Sequence, residues 1–331
     1  MKIAIDAMGG DNAPEEIMKG ACAALREKSS IEKMIFVGDQ DKIKNLIEPD
    51  LLDRTEIIHT TEIIGMDEHP AQAYRQKRNA SICRASKLVK EGKADAVVSA
   101  GSTGAQLVAG LFEIGRLRGV KRPVIAATLP TPSGIKILAD AGANTEVDVK
   151  NLEQFAIMGY YFAKVLKKGK ANIKVALVNN GTEETKGTPL TQEAYQVLRV
   201  NDKFPFAGNI EGSSVMTSDV DVLVCDGFTG NVLLKSCEGT AKGLFSILKK
   251  EMASSLRYKI GALLLKPALK NIMMTYNPAS VGGSPLLGLN GISIVCHGNS
   301  NAIAFANGIK LAVNCVEEQL VEKIRNGISE V

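Results

Sequence analysis

The stretch ADAVVSAGSTGA, residues 94–105, passes from a β-branched apolar run into glycines and small hydroxyl residues. It reads as a strand, a tight loop and the start of a helix. Working outward, KIAIDA (2–7), KMIFVG (33–38), TEIIHTT (55–61) and RPVIAATLP (122–130) predict further strands. In the second half, IKILADAG (135–142), IKVALVNNG (173–181), VDVLVCDG (220–227) and ISIVCHG (292–298) do the same. Helical stretches at 14–27, 70–91, 103–118, 146–168, 190–200, 229–250 and 300–325 fall between most of them. That alternation predicts an α/β fold with a mostly parallel sheet. No repeat with a period of about 20–50 residues is visible, and no low-complexity linker divides the chain. One α/β domain over 1–331 is expected, with a helical excursion at 240–285.

The 331 residues allow a sizeable core, and 45% hydrophobic against 23% charged is a globular balance. Tryptophan is absent and aromatics are 5%, so the core must be aliphatic. A net charge of +4 is too small to argue for nucleic acid, and no nucleic-acid partner is expected. Cys22, Cys83, Cys225, Cys237, Cys296 and Cys315 never form CxxC and read as reduced thiols in a cytosolic protein. With only His59, His69 and His297, a zinc site has little to build on, and neither a metal nor a cofactor is expected. The opening MKIAIDAMGG lacks the pattern of a cleavable signal peptide. Apolar runs such as IGALLL (260–265) fall well short of the roughly 20 residues that span a bilayer.

In parallel sheets, ligands bind at the carboxyl ends of strands, and five stretches stand there. In DAMGGDNAP (6–14), Gly9 and Gly10 permit a sharp turn and Pro14 suits a first helical turn; Asp11 is either functional or, like Asn12, a helix cap. In SAGSTGA (99–105), Gly101 and Gly104 let backbone amides approach an oxyanion and Ser102 and Thr103 add hydroxyls. The helix behind them would point its positive end at a phosphate, or the loop is simply a capped helix start. In NNGTEETKG (179–187), Lys186 can stabilise phosphate or an oxyanion, with Glu183 and Glu184 orienting it, or all three are solvated. In CDGFTGNVLLK (225–235), the amide of Asn231 can donate to a carbonyl oxygen that becomes negative, or Thr229 and Asn231 cap the helix. In HGNS (297–300), His297 either donates a proton or binds an anion, or it is structural.

The segment KKEMASSLRYKIGALLLKPALK (249–270) sets Lys249, Lys250, Arg257, Lys259, Lys266 and Lys270 against Glu251 alone. Leu256, Ile260, Leu263 and Leu264 recur at helical spacing, and Pro267 is expected to break or kink the helix. Such a helix suits an anionic membrane surface, an acidic carrier protein, or packing on the core or a second subunit.

Taken in order, DAMGGD, MDEHPAQAYRQKRNAS (66–81), SAGSTGA, NTEVDVKNLEQFAIMG (144–159), GTEE…KG, GNIEG (208–212), DGFTGNVLLK and HGNS resemble the bacterial acyl carrier protein:phosphate acyltransferases, from residue 2 to about 310. The resemblance implies a three-layer α/β/α sandwich similar to isocitrate dehydrogenases and phosphotransacetylases, usually a homodimer. It implies transfer of a fatty acyl group from the acyl carrier protein thioester to inorganic phosphate. The acyl phosphate would feed a membrane glycerol 3-phosphate acyltransferase. By position, Lys186 and Asn231 look like the family's active-site residues and 249–270 like its membrane-associating tip, implying a cytoplasmic protein held peripherally at the membrane. A nicotinamide-dependent dehydrogenase would need a GxGxxG fingerprint, which the chain lacks. A non-enzymatic membrane-peripheral protein would need only the basic helix. Direct attack by phosphate requires no enzyme nucleophile. The expectation is that loop 101–104 and Lys186 hold phosphate and Asn231 stabilises the oxyanion, with Asp11 and His297 as secondary orienting or proton-transfer groups.

Overall fold

The β-branched runs do become strands, and the structure, a computed structural model, describes them within residues 1–275 and 282–329. They are β1 (Lys2–Asp6), β2 (Lys33–Gly38), β3 (Thr55–His59), β4 (Ala96–Ser99), β5 (Val124–Thr131) and β6 (Gly134–Ala139). β7 (Val175–Asn179), β8 (Phe206–Glu211), β9 (Val222–Val224), β10 (Ser284–Leu287) and β11 (Ile292–Val295) follow. The described residues form one sheet in the order β3-β2-β1-β4-β11-β10-β5-β6-β9-β7-β8.

Helices α1 (Glu15–Glu27), α2 (Gln40–Ile43), α3 (Pro70–Gln76), α4 (Ser81–Lys90), α5 (Thr103–Ala109) and α6 (Val149–Leu166) precede α7 (Pro189–Val200). After it come α8 (Gly227–Ala253), α9 (Leu256–Thr275), α10 (Ala302–Glu317) and α11 (Leu320–Ser329). Side chains alternate across a strand, so a sheet buried on both faces feeds two cores. Ile3 and Ile5 of β1 join α1, α6 and α10 in one core, while Ala4 joins α4 and α5 in the other. The result is the expected three-layer α/β/α sandwich.

One feature of the sheet positions everything else. Seven of its ten ladders are parallel. Antiparallel pairings at β11–β10, β10–β5 and β5–β6 separate two parallel groups that run in opposite senses. Strand carboxyl ends therefore fall into two sets, one from β1, β4 and β11 and the other from β6, β9 and β7.

Several expected elements are altered. β8 and β10 were not anticipated, because FAGNIE carries a left-handed Gly208 (φ 85) and SPLL is four residues opening on Ser-Pro. The helix expected over 70–91 is α3 and α4, broken at Lys77–Ala80, and that over 103–118 passes into a π turn at Gly110–Ile114. The 300–325 helix is split into α10 and α11 at Gln319 (φ 52).

The basic segment 249–270 is not one helix. α8 ends at Ala253, α9 starts at Leu256, and the two pack on each other. Pro267 lies inside α9 and does not end it. The helical excursion expected at 240–285 starts within α8, which runs from Gly227, and its residues 276–281 lie outside the described ones. Among the described residues no helix is long and apolar enough to cross a membrane.

Candidate active site

The first set of strand ends collects Asp11, the 101–104 loop and His297. Gly10, at φ 111, turns the chain out of β1, and the Asp11 amide donates to the Gly298 carbonyl oxygen at 2.8 Å. The Asn12 amide donates to the carbonyls of Asn299 and Ser300 at 3.3 and 3.2 Å, tying the two loops together. The residue at the α1 cap position is Pro14, with no side-chain cap, so neither Asp11 nor Asn12 is a helix cap. Asp11 is exposed. His297 is 63% exposed, with Nε2 3.9 Å from Glu238 Oε1.

The loop after β4 is built differently from the expectation. Gly101 donates its amide inward, to Ser99 Oγ at 3.0 Å, and packs on Gly9. At Gly104 a β-carbon would lie 2.5 Å from Pro70 Cγ, so this glycine lets α3 approach the loop. Both glycines thus serve close packing within the chain. Ser102 caps α5 by accepting from the Ala105 amide at 3.4 Å, which leaves its O–H free to donate. Thr103 is exposed, and its amide and that of Gly104 stand in the first helical turn, where a helix supplies no partners.

The second set carries Lys186 and Asn231. Asp226 at the end of β9 caps α8, accepting from the Thr229 amide at 2.8 Å and the Thr229 hydroxyl at 2.6 Å. Asn231 is thereby released from capping. It lies against Gly142, is exposed, and its amide has no hydrogen-bond partner among the described residues. Gly230 is obligatory here, since a β-carbon would overlap the Asp140 carbonyl oxygen. Asp140, fully buried with its pKa raised by desolvation, accepts from the amides of Ile125, Gly142, Ala143 and Asn144 and so sets the floor under α8.

Lys186 follows β7, the neighbour of β9. Its backbone is pinned by Asn179, whose amide donates to the Lys186 carbonyl at 3.2 Å, while its stem lies over Gly181. The ammonium is exposed and unpaired among the described residues. Glu184 does not orient it, because that carboxylate is held by Arg199 at 2.9 Å and Tyr195 at 3.3 Å. Glu183 anchors the loop through its carbonyl, which accepts from the Asn209 amide at 2.9 Å.

The structure therefore makes two groups of neighbours. Lys186 and Asn231 stand on adjacent strand ends; Asp11, the loop and His297 stand on the other set. α8 connects them: Glu238 is seven residues beyond Asn231, on the same helix face about 10 Å away, and it reaches His297.

Sequence reasoning missed Glu238 and Asp6. The available signals were the seven-residue spacing and a carboxylate closing an otherwise apolar strand.

Comparison with known proteins bears on this arrangement. Residues 1–323 match the family described as Fatty acid synthesis protein. A phosphate acyltransferase of Pelotomaculum thermopropionicum is 47% identical over 332 residues, covering 100% of this chain and 96% of its relative. One from Clostridium acetobutylicum is 45% identical, with both chains covered in full (100%). Among solved structures, a phosphotransacetylase from Streptococcus pyogenes superposes with a TM-score of 0.64 at 19% identity, over 97% of this chain and 94% of the other. At that identity it shows the fold alone.

Proposed function

The chain belongs to the phosphate acyltransferase family, and from that premise we propose that it moves a fatty acyl group from acyl carrier protein to inorganic phosphate. It is an acyltransferase of lipid synthesis. A phosphate oxygen attacks the thioester carbonyl directly. The C–O bond forms, the oxyanion collapses, the C–S bond breaks, and the carrier leaves as a thiolate that takes up a proton. The products are acyl phosphate and free carrier.

The observation that carries this reading is the pair Lys186 and Asn231, an unpaired ammonium and an uncommitted amide on adjacent strand ends. Asn231 donates to the developing oxyanion and Lys186 balances the charge of the attacking phosphate. The other set of strand ends, Ser102, Thr103 and the amides of the 101–104 loop, steadies the remaining phosphate oxygens, with Asp11 and His297 orienting the groups around them. A covalent acyl-enzyme on cysteine is disfavoured. Burial pushes the thiols of Cys83, Cys296 and Cys315 up to about 12, and those of Cys22, Cys225 and Cys237 upward as well, which keeps them protonated and weakly nucleophilic.

The α8–α9 pair extends the proposal to location. Residues 227–275 carry eight basic and two acidic side chains, which leaves the rest of the chain with more acidic than basic residues. Leu256, Ile260, Leu263 and Leu264 are 76%, 57%, 68% and 77% exposed on α9. This surface suits an anionic membrane, where a cytoplasmic homodimer would hand acyl phosphate to a membrane glycerol 3-phosphate acyltransferase. Incubation with acyl carrier thioester and phosphate should yield acyl phosphate and free thiol in equal amounts. Thiol without acyl phosphate would refute the proposal.

A further inference from the structure

The stretch MDEHPAQAYRQKRNAS (66–81) has no part in the chemistry above, yet it borders the first set of strand ends. Exposed Met66 packs on the HGNS loop, where a β-carbon at Gly298 would lie 2.8 Å from its Cε. Pro70, at the start of α3, packs on Gly104 of the 101–104 loop. From there α3 leads away from the site, and Arg75 stands about 8 Å further along it.

Beyond Pro70 the surface becomes aromatic and cationic. Phe112 is 63% exposed, in the π turn Gly110–Ile114. Its ring stacks on that of buried Tyr74, with 5.2 Å between centroids and 19° between planes. Tyr74 is itself fixed, since its hydroxyl donates to Glu113 Oε1 at 2.7 Å and accepts from Arg78 at 2.6 Å. The Arg78 guanidinium also lies over the Tyr74 ring, 4.3 Å from its centroid. Phe112 is thereby an ordered ring held out into solvent, and a partner that covers it loses little side-chain freedom. Arg75 and Arg78 are both exposed, and neither forms an ion pair among the described residues. Residues 70–90 hold six basic side chains and no acidic one. An aromatic anchor flanked by unpaired cations is complementary to an acidic protein surface. An isologous contact with a second copy would instead set this cationic face against itself.

We propose that this face, centred on Phe112 and flanked by Arg75 and Arg78, is where the acidic acyl carrier protein docks. Arg75 and Arg78 steer its carboxylates, and Phe112 packs on apolar surface between them. Met66 and the start of α3 then border the path by which the thioester reaches the strand ends. The inference rests on the acyl carrier reading above and adds the place of docking.

Binding of labelled carrier protein to the full chain, followed by fluorescence anisotropy, tests this. Arg75→Glu combined with Arg78→Gln should weaken binding by about 10-fold or more, and so should Phe112→Ala, with circular dichroism and sedimentation as in wild type. Rising salt should weaken wild-type binding more steeply than that of the arginine variant. Lys249→Glu with Lys250→Glu, a larger change of net charge placed on α8, should leave affinity within about twofold. An equal loss there would mean that the carrier responds to net charge or docks on α8–α9, and would overturn the inference. Wild-type affinity in the folded arginine and Phe112 variants would overturn it as well. A shift of these variants to a smaller sedimenting species would assign the face to contact between copies of this chain, with the same consequence. Product analysis separates the two claims. If wild-type protein forms acyl phosphate from the carrier thioester while the variants bind carrier normally, only this inference falls. If wild-type protein neither binds the carrier nor turns over its thioester, the acyl carrier reading falls with it.

Discussion

Individual side chains act here through what neighbours leave undone. Asp226 takes the cap of α8, so the amide of Asn231 remains uncommitted; Arg199 takes Glu184, so Lys186 remains unpaired. Lys186→Ala and Asn231→Ala should each lower kcat by about 100-fold or more, with far-UV circular dichroism and thermal midpoint unchanged. Normal turnover in either variant would take that residue out of the mechanism. Asp6 supplies a second, pH-dependent expectation. Burial raises its pKa above the ordinary 3.8, so the native state holds this proton more tightly than the unfolded chain. Its contribution to stability is complete below that value and is lost as pH rises through the folded pKa. Cys83, the thiol it perturbs, is pushed up to about 12 and adds no slope in this window. Denaturant unfolding should therefore show Asp6→Asn gaining on wild type as pH rises above the ordinary carboxylate value of 3.8. Parallel pH profiles would contradict a buried, pKa-raised Asp6. Lys186 and Asn231 were marked by their place in ordered motifs. Their freedom was not legible, because Asp226, Thr229 and Asn231 all suit a cap and only coordinates show which one takes it.

At the scale of elements, the first turn of α8 is the critical piece. It sits so close to Asp140 that Gly230 has no room for a β-carbon. Gly230→Ala should cost about 1–3 kcal/mol of stability through overpacking, and it should lower activity about as far as Asn231→Ala by displacing that amide. A thermal melt beside a turnover assay checks both effects, and a stable, active variant would show that α8 tolerates a shift. Most strands and helices were readable because aliphatic runs in this chain are short and bounded by glycine or acidic residues. β8 and β10 escaped because glycine and proline, the usual marks of loops, lie inside them. The breaks at Lys77–Ala80 and at Ser254–Ser255 escaped because the residues on both sides form helices equally well. Of the break or kink expected at Pro267, the break does not occur, since α9 continues through it.

For the whole molecule, the reversal of strand direction across β10, β5 and β6 decides where chemistry can occur. Periodicity carries no sign of direction, so the sequence predicts one row of strand ends where the fold has two, joined by α8. The same helix leads into the basic, apolar surface of α9. Leu263→Glu with Leu264→Glu should abolish cosedimentation with anionic vesicles while sparing turnover in solution, and wild-type binding should weaken as salt rises. Undiminished binding of the double variant would assign α9 to another contact. Rapid mixing of enzyme with excess acyl carrier thioester, with and without phosphate, decides whether phosphate attacks directly. Thiol release should require phosphate and show no burst in its absence. A burst of one thiol per active site without phosphate, with label retained on the protein, would contradict direct attack.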